Sequence, residues 1–257
     1  MSFLEQITAT RRAEARARAG TIEALRAAAA AAPPVRDLAA ALRSASGVTL
    51  IAEVKRASPS VGDIAPGAHA VPQARAYQDG GAAAISVLTE PDYFKGSLQD
   101  LRAVRAAVNL PVLRKDFIAE PIQIVEARAA GADAILLIVA ALAQDELIAL
   151  HGLADELGMG VLVETHSATE VARAQDAGAR IIGINSRNLA TLEVDLGVVA
   201  DLCASLPVDA IKVGESGVRS RDDVMAMAAA GCDAVLIGEM LMRAADPAAA
   251  IRALLGR

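Results

Sequence analysis

The run Gly131-Ala132-Asp133-Ala134-Ile135-Leu136-Leu137-Ile138 decides how the fold is read. It follows Pro121–Ala130, an alanine-rich stretch with the composition of a helix. Gly131 is placed to end that helix in a left-handed conformation, and the apolar residues after it open a buried strand. The same passage returns as Gly81-Ala82-Ala83-Ala84-Ile85, Gly178-Ala179-Arg180-Ile181-Ile182 and Gly231-Cys232-Asp233-Ala234-Val235. The copies lie about 50 residues apart, roughly twice one βα unit of about 25 to 30 residues.

Between the copies are four further strand candidates: Leu50–Lys55, Pro111–Lys115, Gly160–Glu164 and Ala210–Glu215. Helical stretches separate them, over Pro72–Asp79, Leu98–Val108, Pro121–Ala130, Gln144–Leu157, Ala168–Ala177, Leu196–Ser205 and Arg221–Ala230. Eight strands alternating with helices predict a closed (βα)8 TIM barrel. An open, doubly wound sheet is the alternative, weakened because no strand leads into a dinucleotide-type glycine fingerprint. Ser2–Ala45 reads as helical: an amphipathic segment begins at Phe3, Leu4 and Ile7, Thr21 caps a second helix that Pro33-Pro34 ends, and a third covers Val35–Ser44. Residues 1–257 are therefore expected to form one barrel domain, with residues 1–47 as an N-terminal helical extension.

Composition narrows the function. The chain is 54% hydrophobic but only 2% aromatic, so its core must be aliphatic, which suits a parallel sheet buried on both faces. A net charge of −6 offers no electrostatic reason to bind nucleic acid. The basic cluster Arg11–Arg18 is interleaved with acids and is expected to be a solvated helix face. Cys203 and Cys232 are isolated in the sequence and have no metal-ligand spacing, which points to a reducing compartment without disulfides. No apolar run is long enough to span a membrane, and the N-terminus is too polar for a secretory signal. A cytoplasmic protein acting on a small molecule, without nucleic-acid or membrane partners and as a monomer or weak homodimer, is expected.

In such barrels the chemistry sits at the C-terminal ends of the strands. In IAEVKRASPS, residues 51–60, alternation puts Ile51, Glu53 and Lys55 on one face, and Ser58-Pro59-Ser60 stops the strand. Leu113 and Lys115, Leu162 and Glu164, and Val213 and Glu215 share faces in the same way. Acids and bases on buried faces are costly unless they are paired or used. If those faces point inward, two lysines and three glutamates ring one mouth. The even strands carry little charge and would supply apolar wall, except that strand six runs into Asn185-Ser186-Arg187. Lys212 should then face the helices. Ser216-Gly217 after strand seven and Gly238-Glu239 after strand eight are small enough for backbone amides to approach an anion, at the recurrent phosphate site of these barrels. His69, His151 and His166 carry little; His166, two beyond Glu164, is open to a site-edge reading, but a surface role is expected for it.

The segments IAEVKRASPS, SVLTEPDYFKGS, PVLRKDF, EARAAGADAILLI, LVETH, GINSRNL, ESGV and LIGEMLM, in this order, resemble the indole-3-glycerol phosphate synthase family. The resemblance implies a carboxyphenylamino-deoxyribulose phosphate substrate, ring closure, decarboxylation and dehydration, with no cofactor and no metal. It implies Lys115 as the acid of ring closure, Lys55, Glu53 and Glu164 in dehydration, and Asn185 and Glu215 as supporting polar groups. A lysine near other cations could have a lowered pKa, which would make Lys115 a better donor near neutrality. Ser216, Gly217, Gly238 and Glu239 match the phosphate loop, and Lys55 could also touch the phosphate. Arg187 matches the position near the anthranilate carboxylate, Ser58 a nearby loop position, and Phe94, Phe117 and Leu189 the aromatic pocket. The N-terminal helices match an extension that partly covers the mouth. Two positions depart from the family pattern: Ser186, where an asparagine is usual, and Gly214, where a serine is common. The rival readings are another phosphate-binding barrel enzyme, such as a phosphoribosylanthranilate isomerase, and a non-catalytic barrel scaffold.

Overall fold

The computed structural model describes residues 2–43, 47–186 and 197–257. Eight parallel strands close into a barrel: β1 (Thr49–Val54), β2 (Ala84–Leu88), β3 (Val112–Lys115), β4 (Ala134–Ile138), β5 (Gly160–Thr165), β6 (Ile181–Asn185), β7 (Ile211–Glu215) and β8 (Ala234–Ile237). Each strand pairs with its neighbours in the chain, and β8 returns to β1 with Leu50 opposite Val235. The open-sheet alternative is thereby removed. The repeat glycines Gly81, Gly131, Gly178 and Gly231 all have positive φ. Each reverses the chain out of a helix, after α4 (Ala70–Gly80), α6 (Pro121–Ala129), α8 (Ala168–Asp176) and α10 (Arg221–Ala229). Helices α5 (Leu98–Ala107), α7 (Gln144–Glu156), α9 (Gly197–Ser205), α11 (Glu239–Arg243) and α12 (Pro247–Leu255) complete the outer ring among the described residues.

The apolar interior has two parts. The larger lies between strands and helices, and includes Val87, Leu137, Val163 and Val235. The smaller fills the barrel with Ile51, Leu113, Leu136, Leu162, Val213 and Leu236. These barrel residues share faces with Glu53, Lys115, Glu164 and Glu215, so the charged ends of the odd strands do point inward. Gly214, on the opposite face of β7, packs toward Met227 and Cys232, and Lys212 shares that outward face. Cys203 and Cys232, distant in the chain, are neighbours here, both buried and free with 3.6 Å between their sulfurs.

Before the barrel come α1 (Phe3–Ala17), α2 (Ile22–Ala31) and α3 (Leu38–Leu42). The third helix is shorter than Val35–Ser44; residues 44–46 lie outside the described residues. Arg36 is held extended by its backbone N–H on Asp133 (2.7 Å) and its guanidinium on the Leu110 carbonyl (2.7 Å). The helix can start only after Asp37, whose carboxylate caps the Ala40 N–H. Leu38 and Leu42 then plug the N-terminal floor of the barrel. Thr21 does not cap α2 through its side chain; its hydroxyl donates to the Arg18 carbonyl instead.

The Arg11–Arg18 stretch is solvated only in part, with Arg16 exposed and Arg18 half-buried. Arg11 is buried and donates through Nε and Nη2 to the two oxygens of Asp116 (3.0 and 2.8 Å). Arg12 reaches Glu146 (2.6 Å), and Arg16 reaches Glu120 (2.7 Å). Asp116 also accepts from Arg114 (2.9 Å), from the Thr89 hydroxyl (2.6 Å) and from the Phe117 N–H (2.9 Å). Burial alone would raise the Asp116 pKa, but Arg114, Arg11 and these hydrogen bonds bring it down to about 2. Asp116 thus locks α1 to the end of β3 across 105 residues of chain.

A carboxylate with a depressed folded-state pKa stabilises the fold above its unfolded value of about 3.9, and the contribution fades as pH falls through the folded value. Asp116→Asn should cost about 3 to 5 kcal/mol at pH 7 in urea unfolding, because two guanidinium groups lose their buried anion. The gap to wild type should close as pH drops from about 4 toward about 2. A gap that is constant with pH would rule out the ion-pair account.

Candidate active site

At the C-terminal end of the barrel is a cavity of about 820 Å3. Its walls include Glu53, Lys55, Ser58, Phe94, Lys115, Phe117, Glu164, Asn185, Glu215, Ser216, Gly217, Gly238 and Glu239. Every site position read from the sequence lies there, except Arg187 and Leu189, which fall outside the described residues. The even strands contribute Leu88, Leu136, Ile138 and Leu236 as apolar wall. Ser58-Pro59-Ser60 does more than stop a strand. Ala57–Ser58 pairs antiparallel with Gly62–Asp63, forming a small hairpin beside the mouth. Arg56 steadies its base through two bonds to Asp100 (2.7 and 3.0 Å).

Lys115 is the hub. Its Nζ lies 3.4 Å from Glu164 Oε2 and 3.3 Å from Glu215 Oε2. Lys55 forms a second pair with Glu53, Nζ to Oε1 at 3.0 Å. The expectation that Lys115 titrates low is overturned. Burial would lower its pKa, but Glu215, Glu164 and Glu53 outweigh burial, and the ammonium is held well above its ordinary value. Its near neighbours in the fold are carboxyls, a fact hidden in a sequence where Arg114 stands next to it.

The two carboxyls flanking Lys115 are driven apart. Burial, reinforced by Glu164 and Glu53 against the pull of Lys115, pushes Glu215 up to about 8. Its Oε1 is buried and has no hydrogen-bond partner among the described residues, a position costlier for an anion than for a neutral acid. Glu164 goes the other way. Burial would raise its pKa, but Lys115, His166 and a 3.1 Å bond from Asn185 Nδ2 hold it below the ordinary range. Near neutrality the mouth therefore contains an ammonium, an ionised carboxylate and a protonated carboxyl, the pattern of paired acids and bases with separated pKa values.

Absent side chains make this packing possible. A Cβ on Gly183 would collide with Glu215 Oε1, and one on Gly238 would collide with Glu53 Oε1 and crowd Lys55 Cε at 3.2 Å. Gly214 is bound by its other face: a Cβ there would meet Met227 Sδ at 2.8 Å, so this chain fills with sulfur the space that a serine would take. Ser186, the other departure, donates its hydroxyl to the Glu215 carbonyl (3.0 Å) and ties the end of β6 to that of β7. Ser216 and Gly217 both have positive φ, a sharp turn that is strained for a serine.

On the opposite side, Phe94 and Phe117 have ring centroids 5.9 Å apart, tilted by 41°. They form one continuous aromatic wall. Phe94 is placed by Glu90, a buried acid that sequence reading passed over, which accepts the N–H groups of Asp92, Tyr93 and Phe94 at 2.8 to 3.0 Å. Ser2, Phe3 and Leu4 of the N-terminal extension also line the cavity, and Phe3 meets Tyr93 edge-on with centroids 5.0 Å apart. Alternation could not have found these contacts, because they join segments remote in the chain. His166 is not a surface residue; it stands directly behind Glu164.

Acids and bases gathered at the C-terminal rim of a closed parallel barrel place this chain among the (βα)8-barrel enzymes. A family model for indole-3-glycerol phosphate synthase matches residues 4–254. The protein of that name from Mycobacterium ulcerans is 56% identical over 227 residues, covering 88% of this chain and 83% of its own length. The one from Rhodococcus opacus is 53% identical over 253 residues, covering 98% and 94%. This chain belongs to the indole-3-glycerol phosphate synthase family. Among solved structures, thiamine phosphate pyrophosphorylase from Pyrococcus furiosus is similar with a TM-score of 0.64 over 86% of this chain and 96% of its own, at 17% identity, a likeness of fold alone.

Gly183→Ala should leave the barrel folded, since the group it strikes is the tip of a side chain. It should lower kcat about tenfold or more by moving Glu215. An unchanged kcat, with an unchanged melting temperature, would show that the placement of Glu215 is immaterial.

Proposed function

We propose that this mouth performs the family reaction on 1-(2-carboxyphenylamino)-1-deoxyribulose 5-phosphate, giving indole-3-glycerol phosphate, carbon dioxide and water. As a family member the chain is a carboxy-lyase of tryptophan biosynthesis. The observation that carries the assignment of roles is Lys115 Nζ held between Glu164 and Glu215 in the cavity that Phe94 and Phe117 also line. Lys115 donates a proton to the ketone oxygen as the ring carbon bearing the carboxylate attacks the ketone carbon. An oxygen becoming an alkoxide is a stronger base than an amine, so a high-pKa ammonium still delivers its proton, and its charge stabilises the developing anion. Carbon dioxide then leaves and returns its bonding electrons to the ring.

Dehydration needs a second donor for the departing hydroxyl and a base for the remaining proton. The structure offers a second couple, Lys55 with Glu53, 3.0 Å apart, whose carboxylate also acts on Lys115 through space. Two couples for two steps is the division proposed here, with Glu164 as the ionised partner of Lys115 and Asn185 and Glu215 as its positioning groups. The substrate phosphate is assigned to Ser216, Gly217, Gly238 and Glu239, with Lys55 within reach of it, and the aryl ring to Phe94 and Phe117 beside Ser58. Residues 1–257 are taken to act as one catalytic domain, as a monomer or weak homodimer, in the cytoplasm. No helix among the described residues is long and apolar enough to cross a membrane.

Purified protein in EDTA should convert the substrate to an indole-absorbing product, and failure would refute the synthase reading. Lys115→Met should lower kcat about 100-fold or more; turnover at the wild-type rate would remove Lys115 as the acid. Ser216→Asp should raise KM by setting a negative charge against the phosphate, and an unchanged KM would displace the phosphate from this loop.

A further inference from the structure

His166 is the first residue after β5, and alternation puts it on the same face as Glu164. It is not among the described residues that line the cavity, whereas Glu164 is. Its Nε2 is 3.4 Å from Glu164 Oε1 and its Nδ1 is 3.2 Å from Glu170 Oε2. That same Glu170 oxygen accepts the His166 backbone N–H at 2.7 Å, which fixes ring and backbone together. Glu170 is itself placed by the start of α8, where its N–H is capped by Ser167 Oγ at 3.3 Å. The His166 Nε2 is buried and makes no well-formed hydrogen bond among the described residues. A proton on it therefore has Glu164 as its near partner.

The oxygens of Glu164 are divided between two sides. Oε2 faces Lys115 from β3, and Oε1 faces Asn185 from β6 together with His166. The other charged or titratable groups acting here among the described residues are Glu215 from β7, near both Lys115 and His166, Glu53 from β1, near Lys115 and Glu215, and Glu170 from α8. An imidazolium suits this setting and a neutral ring does not. With Nδ1–H directed to Glu170, a neutral ring turns the Nε2 lone pair toward a carboxylate oxygen.

We propose that His166 is a positioning residue for the family reaction: clamped by Glu170, it holds Glu164 ionised and aimed at Lys115 from behind the cavity wall. The proposal rests on the assignment of Glu164 as the ionised partner of Lys115. Burial works against a charged His166, but Glu170, Glu164 and Glu215 together raise its pKa above the ordinary value. The imidazolium charge is lost as pH rises through that raised value.

Two measurements test this. In the pH profile of kcat/KM, His166→Gln should move the acid limb upward by about one unit, since Glu164 loses a facing positive charge. Glu170→Gln should move it less, and His166→Lys should bring it back toward wild type. A purely structural role would lower activity equally at all pH values and leave the limb in place, and that result, in a variant with wild-type circular dichroism, overturns the proposal. Carboxyl-13C glutamate NMR reads the same effect without turnover: the Glu164 resonance should titrate at higher pH in His166→Gln than in wild type. If wild type proves inactive on the substrate, the synthase reading fails while this titration still decides the role of His166. An unmoved Glu164 titration refutes it.

Discussion

The structure depends on one electrostatic condition: the ammonium of Lys115 can be buried only because carboxyls enclose it, and those carboxyls can be crowded only because it is there. Three glutamates converge within one rim, from β1, β5 and β7. Like charges so close cannot all ionise, and the cluster resolves the conflict by holding Lys115 charged, Glu164 ionised and Glu215 protonated. A stability argument would have favoured an apolar replacement for such a cluster. Its retention at the mouth, where protons must move, is what links fold to chemistry.

That condition in turn constrains the backbone. Gly183 and Gly238 stand where the tips of Glu215 and Glu53 need room, so the charged groups of the odd strands are seated against the missing side chains of the even ones. The motif Arg114-Lys115-Asp116-Phe117 shows how much alternation can do in four residues. Arg114 turns out into a buried network with Thr89 and Gln123, and Lys115 turns into the barrel. Asp116 grips Arg11 of the extension, and Phe117 joins the aromatic wall. One strand end thereby couples proton chemistry, substrate wall and attachment of α1. The N-terminal helices are bound to the same strand that supplies the catalytic lysine, which explains how their first residues come to line the cavity.

Much of this was legible in the order of residues alone. The recurring glycine with its apolar run announced the βα repeat, because helix termination and strand burial are local properties. The period of two put Ile51, Leu113, Leu162 and Val213 in the barrel, and with them the charged ends that follow. The reading went wrong where the answer lay across the chain. Arg11 looked solvated because the acids near it in sequence were visible, while Asp116, 105 residues on, was not. His166 looked peripheral because Glu164 and Glu170 were not known to close on either side of its ring.

By itself, then, the sequence determined the barrel, its eight strands and which residues at the ends of the odd strands share a face, since these follow from short-range sterics and hydrophobic periodicity. Only the tertiary structure decided which charge meets which, and therefore that Lys115 is raised and not lowered. Electrostatic energy falls off with distance in space and takes no account of separation along the chain, so a protonation state belongs to the folded neighbourhood and not to the motif.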